Sequence, residues 1–358
     1  PLLLRFLRDR EQSIRKNSGD GKMKRVVYSV LLLLTVILSL LLTPARAQTD
    51  NSADDEKNKK APSIQSSLQL KLSGYAQMQA AWKSEANDTF AIRRARLSLG
   101  GQVLKTLKFK IQLDFTRSPA LLDAQAEVIP RQEISLRAGQ FPVPFSLENI
   151  TSSSDLLTIN RSQTVEKLAP GRDNGSAGRD IGTAVFGSYS IFDYTFGVFN
   201  GSGANKTDNN DRKDFAGRLV VHPLKPLSLA CSIYNGRQTI SDNPALLIRN
   251  KYGLELTFNY QRIGLQAEFI QATDDRIKKE GWYALATYSI ISQKLQLVAR
   301  LETINLDRHL PAQKATIYTA GANWFLTTRS KFLANFEYHQ TESGPDHQAV
   351  LFLLQMGF

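Results

Sequence analysis

Basic residues recur at alternate positions in Arg94-Ala-Arg96 and again in Lys108-Phe-Lys110. In an extended chain residues i and i+2 share a face, so each pair sets two cations side by side. Guanidinium forks and ammonium groups held in that way take phosphate or carboxylate oxygens, and anion binding is the chemistry these residues offer. Other chemistry lacks its parts. His222, His309, His339 and His347 have no metal-ligand spacing along the chain, no Gly-x-Ser-x-Gly nucleophile elbow occurs, and Cys231 is the single cysteine. No enzyme activity, metal or cofactor is expected from them.

The elements that must position these cations are strands. From about residue 68 to the end, segments of nine to fifteen residues alternate apolar and polar side chains, the period of a strand with two different faces. Leu68, Leu70, Leu72, Met78, Ala80 and Trp82 oppose Gln69, Lys71, Ser73, Tyr75, Gln77 and Gln79. Ala95, Leu97 and Leu99 oppose Arg94, Arg96 and Ser98, and Leu107, Phe109, Ile111 and Leu113 oppose Lys108, Lys110, Gln112 and Asp114. About sixteen such segments can be counted. Connections expected to be short, such as Lys105, Gln261-Arg262 and Ser292-Gln293, alternate with longer polar ones at 200–213, 235–250, 273–280 and 304–314. Short and long connections in turn are the habit of barrels that span an outer membrane.

A soluble sandwich or lipocalin-like barrel shares the period but points its apolar face to a core, and sixteen strands would enclose more space than side chains fill. The expected fold is therefore all-β: a transmembrane antiparallel up-and-down barrel over residues 67–358. Trp82, Tyr252, Tyr260, Trp282, Tyr288, Phe325 and Tyr338 fall near strand ends, where aromatic girdles meet the membrane interfaces. Val350, Phe352, Leu354, Met356 and Phe358 share one face up to the last residue, and Phe358 is expected to act as the signal read by barrel-assembly machinery.

Met23-Lys-Arg25, an apolar run to Leu42, and Ala45 and Ala47 make up a secretory signal peptide over 23–47, with cleavage after Ala47. Residues 1–22 are expected to be an upstream extension and 48–66 a flexible polar leader. Residues 1–47 carry nine basic and three acidic side chains, so the full-chain charge of +12 falls to +6 without them. That scattered excess gives no basis for nucleic-acid binding.

The longest connection, 142–178, carries Phe145, Glu148, Arg161, Lys167 and Arg172 and leads into Arg179; length without regular alternation marks a functional loop. Phe90-Ala-Ile-Arg-Arg-Ala-Arg-Leu97, Leu122-Asp-Ala124, Arg137-Ala-Gly-Gln-Phe-Pro-Val-Pro-Phe145 with Glu148, Arg161, Gly171-Arg172, Arg179-Asp-Ile-Gly182 and Gly281-Trp-Tyr283 are together similar to the phosphate-selective porin O and P family. The resemblance implies a homotrimeric sixteen-stranded pore in the outer membrane of a Gram-negative bacterium, with lipid and lipopolysaccharide around it. It implies passive passage of small hydrophilic solutes, a preference for anions, and phosphate or polyphosphate transport as the narrower reading. It also implies that the 142–178 loop folds inward as a constriction.

Strict parity points Lys71, Arg94, Arg96, Lys108, Lys110, Arg137, Arg218, Arg300 and Lys331 into the lumen as anion-binding residues. It points Asp114, Asp123, Glu127, Glu133, Glu255, Glu268, Glu302 and Glu337 inward as well, so ion pairing across the lumen is the competing expectation. Arg93 has the opposite parity and either reaches toward lipopolysaccharide phosphates or caps its strand. Two rival functions remain: a non-conducting barrel for surface binding or adhesion, and a membrane-embedded hydrolase. The second needs an inward Ser and His at matching depth near one rim, and no such pair stands out in the sequence.

Overall fold

In a bilayer every backbone N–H and C=O must find a partner within the protein, so a sheet of such segments has to close on itself. The computed structural model, which describes residues 68–240 and 243–358, shows that closure. The strands are β1 (Gln69–Lys83), β2 (Ala86–Leu104), β3 (Leu107–Asp114), β4 (Leu121–Arg131), β5 (Ile134–Pro142), β6 (Arg179–Tyr189), β7 (Phe192–Phe199) and β8 (Asp214–Leu224). They continue as β9 (Leu227–Ile240), β10 (Asn243–Tyr260), β11 (Ile263–Asp274), β12 (Ile277–Ile291), β13 (Leu295–Asn305), β14 (Lys314–Phe325), β15 (Lys331–Thr341) and β16 (His347–Gly357). Each pairs antiparallel with its sequence neighbours, and β1 pairs with β16 to complete a closed barrel. Residues 1–67, with Ala45, Ala47 and the proposed leader, lie outside the described residues.

The seam between β1 and β16 explains the last residue. The Phe358 N–H donates to the Gly74 carbonyl at 3.0 Å, and the Gly74 N–H donates back to the Phe358 carbonyl at 3.3 Å. The Phe358 ring lies over Gly74, where an added Cβ would stand 2.8 Å from it, so the aromatic side chain covers the bare stretch of backbone that a glycine leaves.

The apolar residues of the alternating pattern face outward and are exposed, among them Leu70, Leu72, Met78, Phe90, Ile92, Leu254 and Phe336. Trp82, Tyr252, Tyr260, Trp282 and Tyr288 lie on that face too. Phe325 departs from the expected girdle: Asn323 is buried, and the exposed aromatic residue at that end of the strand is Trp324, at 59 %.

The expected alternation of short and long connections holds on one side only. One rim has short turns throughout, at 105–106, 132–133, 190–191, 225–226, 261–262, 292–294 and 326–330. The opposite rim has connections of six residues or more at 115–120, 143–178, 200–213 and 306–313 and one of five at 342–346, but β1 and β2 join through 84–85, and β11 and β12 through 275–276. The supposed loops 235–250 and 273–280 are extensions of strands. A tilted strand needs only about 9–11 residues to cross the bilayer, whereas β2 has 19 and β10 has 18. Beyond the hydrocarbon neither face meets lipid, so the apolar alternation lapses while the ladder continues.

If Phe358 both seals the seam and covers Gly74, Phe358→Ser lowers the folded, heat-modifiable fraction in isolated outer membranes several-fold. An unchanged gel shift and yield would remove that role.

Candidate functional site

The loop 143–178 between β5 and β6 runs inside the barrel. Two short helices organise it, α1 (Leu147–Ile150) and α2 (Gln163–Leu168), each preceded by a serine whose hydroxyl takes a first-turn N–H: Ser146 from Asn149 and Ser162 from Val165. Phe145, Val165, Leu168 and Ala169 are buried in one cluster with Ile270, Tyr283, Leu285, Val298 and Ile304 of β11 to β13. Ile159 is buried with Ala81, Leu333, Leu351 and Leu353 of β1, β15 and β16. The lumen face of those strands therefore carries apolar patches where the loop lies against it.

Backbone groups of the loop are satisfied by polar side chains of the wall. Glu268 accepts the Leu147 and Glu148 N–H groups at 3.0 and 2.8 Å and the Tyr283 hydroxyl at 2.6 Å. Glu302 accepts the Thr164 N–H at 2.6 Å, and Asn335 accepts that of Ile159 at 2.7 Å. Lys331, Asn323 and Lys251 donate to the carbonyls of Leu156, Leu157 and Leu168 at 2.7, 2.9 and 2.9 Å. Arg300 donates to Thr158 Oγ1 and the Asn160 carbonyl, both at 2.9 Å.

The charged residues of the loop serve the same end. Glu148, 3 % exposed, accepts the Ser162 N–H at 2.8 Å. Arg161, 2 % exposed, donates to the carbonyls of Glu148 and Thr151 and to Ser153 Oγ. Burial pushes its pKa down against the pull of Glu148 and Glu166. Arg172 is pushed down to about 9 by burial and by the Arg161 charge, and holds Glu166 at 2.9 Å and the Asn149 carbonyl at 3.2 Å. Burial works against the Asp173 charge, yet Lys251 and Arg249, both bonded to it, hold its carboxyl below the usual range.

Of the residues expected in a constriction loop, Phe145 packs the loop against the wall, and Glu148, Arg161 and Arg172 hold it together internally. Lys167, on α2, is the exposed member of the expected set, and Arg179 is the first residue of β6, 3.0 Å from Asp123.

Most of the expected lumen cations carry an acidic partner. Arg96 meets Asp114 at 2.8 Å, Lys110 meets Asp123 at 2.7 Å, Arg137 meets Glu127 at 2.8 Å, and Arg218 forks onto Glu255. Arg300 lies 3.8 Å from Glu148 and 3.6 Å from Glu302. Glu133, expected to point inward, sits exposed in the turn after β4. Lys71 and Lys108 are exposed and in no ion pair among the described residues.

The largest departure is Arg93. Register on β2 pairs Gln77 with Arg94 and Met78 with Ile92, so Arg93 is the extra residue of a β-bulge. The bulge turns Arg93 inward beside Arg94, away from the rim and from any lipopolysaccharide. Arg93 donates to Gln79 and, at 2.8 Å, to Asn160 Oδ1 of the loop; Arg94 donates to Gln77 Oε1 at 2.8 Å. Both guanidinium groups are bonded to neutral amide oxygens. On one side lies a cavity of about 710 Å³ lined by Gln79, Arg93, Asn160, Glu337, His339 and His347. On the other lies one of about 330 Å³ lined by Lys71, Ser73, Tyr75, Lys110, Gln112, Ser152, Ser154 and Gln355. Gln77, Arg94 and Arg96 stand between the two by their register on β1 and β2.

The family model described as phosphate-selective porin O and P matches residues 72–234 and 231–350. The chain belongs to the phosphate-selective porin O and P family. Among solved structures, this porin is similar to the in-vitro folded, trimeric form of OmpT, an outer membrane protein of Vibrio cholerae, at 8 % identity and a TM-score of 0.63 over 81 % of this chain and 99 % of that one. It is similar to the outer membrane channel DcaP of Acinetobacter baumannii at 12 % identity and a TM-score of 0.60, over 81 % and 97 % of the two chains. A mutant of Rh. blastica porin matches at 12 % identity and 0.55, over 81 % of this chain and all of that one. At these identities the likeness is one of fold. Comparison with curated protein sequences returns no match. Family and fold together make the chain an outer-membrane porin channel, with its short turns on the periplasmic side.

The strands of this porin also gather a trio that linear reading missed: Ser228 Oγ lies 2.8 Å from His222 Nδ1, and His222 Nε2 lies 2.8 Å from Asp193, at the periplasmic rim. The His222 and Asp193 side chains are 41 % and 48 % exposed, so the trio lacks the water-excluded setting that makes such a relay reactive.

Glu268→Ala leaves two loop N–H groups without their acceptor, a cost of roughly 2–6 kcal/mol at ~1–3 kcal/mol for each unpaired buried group. Single-channel traces of that variant are expected to flicker between levels, with Glu268→Gln, which keeps one acceptor oxygen, closer to wild type. A steady wild-type trace from Glu268→Ala would show that the loop does not hang on this carboxylate.

Proposed function

We propose that this porin is a passive diffusion channel for small hydrophilic solutes that prefers anions, and that Arg93 and Arg94 set the preference. The observation that carries the reading is the pair of guanidinium groups between the two cavities that make no direct ion pair among the described residues, in a lumen whose other cations are largely matched with carboxylates. A matched pair contributes little field beyond its own length. An unmatched pair in a narrow low-dielectric passage raises the local anion concentration, and two adjacent forks suit the several oxygens of a phosphate. Phosphate or polyphosphate is accordingly the solute class proposed for strongest retention. Lys71 and Lys108, exposed toward the periplasmic end, extend the positive track.

The trimeric form named for the Vibrio cholerae protein supports a homotrimer here, and Phe358 is the proposed recognition point for assembly machinery. Lipopolysaccharide is proposed to surround the outer half of the barrel. We read no enzymatic role: the Ser228–His222–Asp193 trio braces the periplasmic rim.

Reversal potentials in planar bilayers under a potassium chloride gradient test the preference. Arg93→Gln with Arg94→Gln is expected to lower the chloride-to-potassium permeability ratio several-fold and to relieve block by added phosphate, while the barrel still folds. The wild-type preference fades in concentrated salt, as the screening length falls from about 10 Å at 0.1 M to about 3 Å at 1 M. An unchanged ratio in the double variant would overturn the assignment to these two residues, and absence of any conductance in wild type would turn the reading to a surface-binding barrel.

A further inference from the structure

Passage past Arg93 and Arg94 uses neither of two histidines at the outer ends of β15 and β16. Along the chain His339 and His347 are eight residues apart, a spacing without meaning for metal binding, but the hairpin places them directly opposite each other. Opposed residues of an antiparallel pair have Cβ atoms about 4.5–5.5 Å apart. Here the imidazole rings stack with centroids 4.5 Å apart and planes inclined by 21°. His339 shares the lumen face of β15 with Asn335 and Glu337, and His347 that of β16 with Ala349 and Leu351, so both line the outer cavity. Glu337 Oε2 lies 3.3 Å from His339 Nε2. Glu85, in the β1–β2 turn, lines the same cavity, and that turn is tied to β16 by the Ser84 and Gln348 N–H groups, at 3.1 and 3.0 Å.

We infer that His339 and His347 form a binding site for a divalent transition-metal ion such as Zn²⁺, with Glu337 or Glu85 as carboxylate ligand and water completing the shell. Two imidazoles and a carboxylate suit Zn²⁺, Cu²⁺ or Ni²⁺, whereas Mg²⁺ and Ca²⁺ take oxygen ligands. The rings face open water in the cavity, so they can turn to reach one ion at the ~2.0–2.1 Å of a zinc–imidazole bond. Among the described residues no three His, Cys, Asp or Glu side chains are already gathered as a metal cage. The ion therefore draws its carboxylate in on binding, which keeps the affinity moderate. Glu337 also accepts both bonds from Asn160 Nδ2, at 3.0 and 3.1 Å, and Asn160 accepts from Arg93. A bound ion thus places positive charge one residue away from the groups proposed to select anions, and competes for the carboxylate that holds Asn160 to the wall.

The binding itself does not depend on conduction, so calorimetry on the full-length barrel refolded in detergent tests it apart from the channel reading. Titration with Zn²⁺ is expected to show one site per chain, weakened roughly tenfold or more, a loss of at least 1.4 kcal/mol, in His339→Gln and in His347→Gln. His309→Gln, altered in an outer loop, is expected to bind as wild type, and Mg²⁺ to give no heat. The heat-modifiable gel shift confirms that each variant is folded. In bilayers, Zn²⁺ on the outer side changes the wild-type current and leaves that of His347→Gln unchanged. Equal Zn²⁺ binding by wild type and the His339→Gln, His347→Gln double variant, or a matching loss in His309→Gln, would overturn the site.

Discussion

The structure depends on one constraint: backbone groups at membrane depth must be paired inside the protein. Closure of β1 onto β16 meets it for the wall. The loop 143–178 brings a second length of backbone to the same depth with no ladder to join, and it is tolerated because side chains of the wall stand in for strand partners. Glu268, Glu302 and Asn335 accept its N–H groups, and Lys251, Asn323 and Lys331 donate to its carbonyls. These are inward positions that a simple pore would leave to water. The loop consumes them.

That consumption decides which charges remain for solutes. Arg300 is spent on loop oxygens and on Glu148 and Glu302, and Arg96 on Asp114, Tyr75 and Ser153. Removing one partner of a buried pair costs about 3–5 kcal/mol because the other charge is left stranded, so substitutions at these arginines report on stability before selectivity. Arg93 and Arg94 differ in kind. Their partners are amide oxygens of Gln77, Gln79 and Asn160, which orient a guanidinium without cancelling its charge. An orienting neutral acceptor keeps a cation fixed and available, the condition under which it can favour anions at low entropic cost.

The sequence was most legible where lipid enforces a rule. Outward residues between Leu70 and Met356 must be apolar, and the period of two follows directly. Legibility failed where that rule stops. Residues 235–250 read as a loop because the regular apolar alternation lapses there, although β9 and β10 keep pairing. Ile270, Tyr283, Leu333 and Leu351 broke the polar-inward expectation because part of the lumen wall is packed against the loop, and nothing in the alternation of one strand announces what lies across the barrel. The opposition of His339 and His347 needed a hairpin register, which depends on where a turn falls and not on spacing along the chain.

Arg93 joins these strands of reasoning. Parity assigns it to lipid, and a straight strand would have had to bury a cation in hydrocarbon or change the residue. The bulge resolves the conflict by inserting one position: Phe90 and Ile92 stay outward on one side of it, Ala95 and Leu97 on the other, and the extra residue turns in. The wall thereby gains a second inward guanidinium beside Arg94 without giving up a lipid-facing side chain. The loop then completes the arrangement, since Asn160 reaches Arg93 only because Glu337 and Arg300 fix that turn of the loop against β13 and β15. A local irregularity of one strand and the backbone accounting of a distant loop therefore meet at the same few atoms, and the charge that solutes encounter there is a product of both.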